Sequence, residues 1–286
     1  MTSTATPPLP ERAPIAVASA PNGARKTHAD HPALPITPDE LAATARACLD
    51  AGAAMLHLHV RHADGTHSLE AADYLPAIER VRQAVGQRLV LQVTTEAVGR
   101  YTPAQQMAVV RELRPEAVSA ALRELVPDAA HESEAAAFFG WLAAEHIVPQ
   151  YILYDAADVG RYFDLRQRGL IPPGGHWVLF VLGRYSAGQT SSPDDLLPFL
   201  HAWHAEAALS AGVRWAVCAF GAREAECALA AALLGGHARL GFENNMLLAQ
   251  GELAPDNAAL IRQFASAAGV LHRPLADAEQ LRSWFA

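Results

Sequence analysis

From Ile15 onward, short β-branched runs alternate with longer stretches whose apolar residues recur every three or four positions. A period of two marks a strand and a period near 3.6 marks an amphipathic helix. Strands are expected at Ile15–Ser19, Ala54–Val60, Leu89–Thr94, Ala117–Ala120, Val148–Leu153, Trp177–Leu182, Arg214–Ala219 and Ala238–Phe242. Between them, Thr37-Pro38-Asp39-Glu40, Thr102-Pro103 and Ser192-Pro193-Asp194-Asp195 each place a hydroxyl at a helix cap and Pro at the first helical position. Eight strand–helix units imply a parallel sheet, and that number favours closure over an open sheet. An open dinucleotide-binding sheet would need a G-x-G-x-x-G turn after its first strand, where this chain reads Pro21-Asn22-Gly23-Ala24. The expected architecture is α/β, a single (β/α)8 TIM barrel over residues 14–286 behind a flexible tail over 1–13.

Composition narrows the function. The chain has 286 residues, about half of them apolar and only 7% aromatic, so a large core must come mainly from Ala, Val and Leu. Its formal charge is -8 with no basic cluster, which removes the electrostatic footprint expected for nucleic acid or an anionic membrane. Cys48, Cys218 and Cys227 are too few and too scattered for a disulfide framework. Cys218, inside an apolar run, reads as a small buried hydrophobe. Neither a signal-peptide pattern nor a membrane-length apolar run is visible, so a cytoplasmic location is expected.

The densest chemistry lies in Met55-Leu56-His57-Leu58-His59-Val60. Alternation turns His57 and His59 to one face and the leucines to the other. In a barrel the leucines meet the helices, and the imidazoles face the axis near the carboxyl end, where barrel enzymes keep their sites. Two imidazoles suit zinc, iron or manganese, or else simply bond to polar barrel neighbours. The last strand, adjoining the first and so close to the second, ends in Glu243-Asn244-Asn245, and Glu243 offers a third ligand. Two histidines and a carboxylate leave coordination positions open for substrate. Arg239, four residues earlier, shares that face if the strand is regular, and a guanidinium there requires an acid or an anionic substrate. Thr94, Thr95 and Glu96 end the third strand at the height where substrate would bind.

These residues resemble the β-keto acid cleavage enzymes, typified by 3-keto-5-aminohexanoate cleavage enzyme. The carriers are Gly23-Ala24 with Asp30-His31-Pro32 through Pro38, Ala51-Gly52-Ala53 before His57-Leu58-His59, and Gln92-Val93-Thr94-Thr95. Trp215-Ala216-Val217 and Gly235-Gly236-His237 follow, with Arg239 and Gly241-Phe242-Glu243-Asn244-Asn245. The resemblance implies zinc (or manganese or iron) on His57, His59 and Glu243, a homotetramer, and exchange between a β-keto acid and acetyl-CoA that yields acetoacetate and a new acyl-CoA. It puts Arg239 and Thr94 at catalytic positions and Ser119 around the substrate, to which the strand-end reading adds Thr95 and Glu96, while Asn244 and Arg25 stand at a catalytic and a substrate-binding position with altered residues. Three departures matter. The family's aspartate after the glutamate, thought to pair with the arginine in proton transfer, is Asn244 here, which cannot act as a base. That leaves the role to the substrate, a water or Glu96. Arg25 and Ile152 replace acids thought to hold a substrate ammonium, which argues against an amino-bearing substrate and suits a second carboxylate near Arg25. Tyr151 and Tyr154 suggest a more apolar pocket wall. The alternative is a metal-dependent hydrolase of the amidohydrolase kind, disfavoured because the fifth strand has no histidine and His176 stands at the wrong end of the sixth.

Overall fold

The computed structural model describes residues 12–285. Its strands are β1 (Val17–Ser19), β2 (Met55–Leu58), β3 (Val60–Arg61), β4 (His67–Ser68), β5 (Val90–Val93), β6 (Ala117–Ala121), β7 (Val148–Leu153), β8 (Trp177–Leu182), β9 (Arg214–Ala219) and β10 (His237–Leu240). Eight of them close a parallel barrel in the order β1-β10-β9-β8-β7-β6-β5-β2, with Ala18 beside both Arg239 of β10 and Met55 of β2. Helices fill every crossover, as the chain-order alternation requires. Thr37 and Thr102 form capping boxes with Glu40 and Gln105, and Asp195 accepts from the Ser192 backbone where a 3-10 turn leads into Leu196–Ala205. The expected tail over 1–13 falls, apart from Arg12 and Ala13, outside the described residues.

Each strand faces two cores. Leu56, Leu58, Leu91, Val93, Val118 and Ala238 pack outward against Leu41, Tyr74, Phe138 and the other helix residues. Ala16, Ala18, Met55, Val90, Ala117, Trp177, Leu179 and Ala216 fill the barrel axis. Alanines alone would leave the axis underfilled, and the chain's end completes it. Ala276, Ala278 and Leu281 join the inner cluster, Phe285 meets Trp177 at 5.8 Å and Arg214 stacks on Trp284 at 4.1 Å. This plug closes the amino-terminal end, so access to the interior comes from the carboxyl ends of the strands.

Two strand expectations are corrected. The second strand stops at Leu58, and Val60–Arg61 belongs to an antiparallel ribbon with His67–Ser68. Its turn uses Asp64-Gly65, with Gly65 at φ 82°, a hairpin signal that the expected strands leave unused. The last strand stops at Leu240. Gly241, at φ 143° and packed against the Ala20 carbonyl where no side chain fits, turns the chain sharply. Glu243 therefore sits in a turn, where Asn244 and Asn245 bond back to the Gly241 carbonyl. The even spacing from Arg239 to Glu243 brings the two together, but by a helical-type turn rather than strand alternation. Tyr151 is a further correction. It points outward and packs on Phe139 and His176, because β7 alternates Gln150, Ile152 and Tyr154 inward.

Candidate active site

At the top of β2 the imidazoles of His57 and His59 emerge side by side, both essentially buried. Their Nε2 atoms are 3.0 Å apart, and Glu243 Oε2 lies 3.5 and 3.4 Å from them. A tetrahedral zinc bonded at its usual length spaces its ligand atoms by about 3.3 Å, so this triangle matches such an ion without rearrangement. Glu243 Oε2 is buried without a hydrogen bond among the described residues. His57 Nδ1 lies 2.7 Å from Gln92 Oε1, so the proton resides on Nδ1 and the Nε2 lone pair faces the triangle. Gln92 in turn donates to Gln150 Oε1 at 3.3 Å. Burial pushes the His57 imidazole down to about 3, which keeps it neutral and able to ligate. Burial opposes ionisation of Glu243, but the Arg239 guanidinium outweighs it and helps hold the carboxyl well below its usual range. The donor set and its geometry fit a divalent metal.

The turn that carries Glu243 is anchored on several sides. Arg239 Nη2 donates to Glu243 Oε1 at 3.0 Å, Asn244 Oδ1 at 3.2 Å and Cys218 Sγ at 3.2 Å. The cysteine read as a plain hydrophobe is thus also an acceptor for the buried guanidinium. Lys26 Nζ donates to the carbonyls of Phe242 and Glu243 at 2.6 and 2.9 Å. Gly23, at φ 61°, lies so close that a Cβ would stand 2.6 Å from Glu243 Cγ. Lys26 and Glu224 were not singled out from sequence, and Gln92 was noted only within the run Gln92-Val93-Thr94-Thr95, without a role. Gln92 could have been given one, since it faces inward on β5 directly beside His57 of β2. Lys26 and Glu224 act through backbone and amide contacts that no spacing rule announces.

A cleft of about 390 Å³ opens over the triangle, lined by Thr94, Thr95, Glu96, Ser119, Ile152, Tyr154, Arg184 and Arg239 among others. The structure thus gathers most of the residues singled out from sequence, and it also shows what several of their polar atoms already hold. The Thr94 hydroxyl accepts from Glu96 N–H at 3.0 Å, and Thr95 donates to the Ser119 carbonyl at 2.7 Å. Glu96 pairs with Arg184 at 3.1 Å. Arg25 is not in the cleft. It lies exposed on the rim of an adjoining vestibule of about 650 Å³ that also meets Lys26, Arg184 and Glu243. His176 is far from this end, bonded to the Tyr162 hydroxyl at 2.7 Å before β8 begins.

Over residues 14–286 the chain matches a family model described as beta-keto acid cleavage enzyme. It is 30% identical over 276 residues to a 3-oxoadipate:acetyl-CoA acetyltransferase of Cupriavidus necator, covering 94% of each chain. A 3-keto-5-aminohexanoate cleavage enzyme of Fusobacterium nucleatum is 27% identical over 270 residues, covering 91% of this chain and 93% of its own length. Among solved structures, a binary complex of ObcA with oxaloacetate shares the fold with a TM-score of 0.73 at 16% identity, over 89% of this chain and 67% of that one. The match along nearly the whole chain makes this protein an enzyme of the β-keto acid cleavage family.

Proposed function

We propose that the protein exchanges acyl groups between a β-keto acid and acetyl-CoA at a divalent metal, zinc in the first instance, held by His57, His59 and Glu243. The observation that carries this reading is the triangle of His57 Nε2, His59 Nε2 and Glu243 Oε2, with a buried arginine beside it. In the net reaction the carboxymethyl carbon of the β-keto acid leaves its acyl group and bonds to the acetyl carbon. Acetoacetate departs, and the acyl group ends on the CoA sulfur. The names of the two relatives support the same reading, one acting with acetyl-CoA and the other cleaving a keto acid.

A bound metal would supply Lewis-acid stabilisation of the negative charge that develops on the keto oxygen. The chain's own residues do the rest. Arg239, held by three acceptors on one nitrogen, presents a fixed positive charge to the substrate carboxylate or enolate. Thr94 and Ser119 line the opposite wall and orient the keto acid, with Thr95 tying the Ser119 backbone in place. The Glu96–Arg184 pair closes the far side, and Arg25 on the rim offers a contact for a second carboxylate. Asn244 serves as a neutral acceptor for Arg239 and takes no proton. Acetyl-CoA enters over the carboxyl-end loops, because the other end of the barrel is plugged. Within this reading the enzyme is a cytoplasmic homotetramer, which sedimentation and fractionation would check. No helix of the described residues is long and apolar enough to cross a membrane.

The test is a panel of β-keto acids, including 3-oxoadipate and 3-keto-5-aminohexanoate, offered to zinc-loaded enzyme with and without acetyl-CoA. The expected result is formation of acetoacetate and a new acyl-CoA only when acetyl-CoA is present. Cleavage that proceeds equally well without acetyl-CoA would point to the hydrolase instead. Arg25→Ala is expected to raise KM for a β-keto dicarboxylate more than for a monocarboxylate.

A further inference from the structure

Behind Arg239 lies a carboxylate for which the reaction above has no use. Glu224 opens the helix Glu224–Leu233 and is only 2% exposed. It accepts from Gly241 N–H at 3.1 Å, from Asn244 Nδ2 at 3.1 Å and from Asn245 Nδ2 at 3.4 Å. All three donors belong to the turn that carries Glu243.

The amide of Asn244 can point only one way here. Its Nδ2 has two acceptors, Glu224 Oε1 and the Arg239 carbonyl at 3.2 Å, while its Oδ1 accepts from Arg239 Nη2. Turning the amide over would set an NH2 against a guanidinium and an oxygen against a carboxylate, two repulsive contacts in a buried site. The carboxyl of Glu224 therefore decides which atom of Asn244 meets Arg239.

We propose that Glu224 is a positioning residue for the reaction: through Asn244 it holds a neutral acceptor against Arg239. Asn244 orders Arg239 without adding charge, so the guanidinium retains its pull on an anionic substrate. Burial, which pushes the Glu224 carboxyl up to about 8, is offset in part by these same three donors. The kinetic consequences rest on the exchange reaction proposed above, whereas the orientation of Asn244 rests on geometry alone.

The test separates the acceptor from its charge. Glu224→Gln keeps Oε1 for both Gly241 N–H and Asn244 Nδ2 and sets its NH2 at the Oε2 position, facing Asn245 alone. Asn244 then stays in place. Glu224→Leu removes the acceptor, so the Asn244 amide is free to turn over, and Arg239 loses an acceptor and leans on Glu243. Two readouts are taken on full-length protein with matched thermal melts. One is zinc affinity by chelator competition. The other is exchange of isotopically labelled acetyl-CoA into acetoacetate, a probe that does not depend on the natural side chain.

E224Q should stay within about threefold of wild type on both readouts, since it gives up one weak hydrogen bond. E224L should weaken zinc binding by about tenfold, since Arg239 then competes for Glu243 Oε1. It should lower kcat for exchange by about tenfold or more, with a smaller change in KM. If E224L matches wild type, or E224Q is as impaired as E224L, the proposal is overturned. A wild type that binds zinc but exchanges no label would contradict the reaction and leave Glu224 to be judged on zinc affinity. One that binds no zinc would overturn both.

Discussion

Among single residues, Gln92 tests the metal site most specifically without replacing a ligand. It fixes the tautomer of His57 from below and is itself oriented by Gln150. Outer partners of ligating histidines set ring orientation and basicity, and their loss costs about 10- to 100-fold in metal affinity. Gln92→Leu, which fills the same space without an acceptor, should fold with a near-native melt and lose zinc to a competing chelator in that range. Unchanged affinity would mean that the His57 tautomer is set elsewhere. Much of this residue-level picture was legible beforehand. Alternation alone turned His57 and His59 to one face and the leucines to the other, because a buried strand leaves that pattern in its sequence. The contacts of Lys26 and Glu224 were not legible, because a carbonyl or a backbone N–H brought near by a turn leaves no mark on residue type.

Among structural elements, the turn after β10 decides whether Glu243 reaches the imidazoles. Gly23 makes room for it on the neighbouring loop, and a methyl there would both strain a left-handed backbone and strike Glu243 Cγ. Gly65 in the β3–β4 ribbon also has a positive φ but has open space around it. Gly23→Ala and Gly65→Ala should therefore each lose about 1–2 kcal/mol of stability in urea unfolding. Only Gly23→Ala should release zinc. Equal zinc retention in the two would show that Glu243 is placed independently of this loop. At this scale the strands were legible and their ends were not. Glu243 was expected on a strand because period two continued on paper through Gly241-Phe242. A glycine at φ 143°, with no room for a side chain beside the Ala20 carbonyl, breaks that period in space. The ribbon after His59 was missed for a related reason: two-residue strands are too short to show alternation.

For the whole molecule, the barrel has a polar upper end and a plugged lower end, and the lower end makes its stability depend on pH. His176 and His237 are buried there, and burial pushes them down to about 4 and about 3. Arg273 and Arg214 lower His237 further. A histidine held neutral in the fold binds fewer protons than in the unfolded chain, so stability falls once pH drops below the unfolded value near 6.5 and levels off below the folded values. From pH 7 to pH 5 each should cost about 2 kcal/mol, seen as a falling urea midpoint in metal-free buffer. A flat midpoint over that range would show that these imidazoles find compensating partners on protonation. The closed barrel itself could be anticipated from eight strand–helix alternations. The plug of Ala276, Leu281 and Phe285 could not, because a short terminal helix carries no sign of which surface it will cover. The central claim is that a metal on His57, His59 and Glu243 drives an acetyl-CoA-dependent exchange. Its most direct test is transfer of label from acetyl-CoA into acetoacetate by chelator-stripped enzyme, before and after adding one equivalent of zinc, in wild type and in His57→Ala, His59→Ala and Glu243→Ala. The account predicts that label moves only in zinc-restored wild type. Equal label transfer by the stripped enzyme, or by any of the three variants, would contradict it.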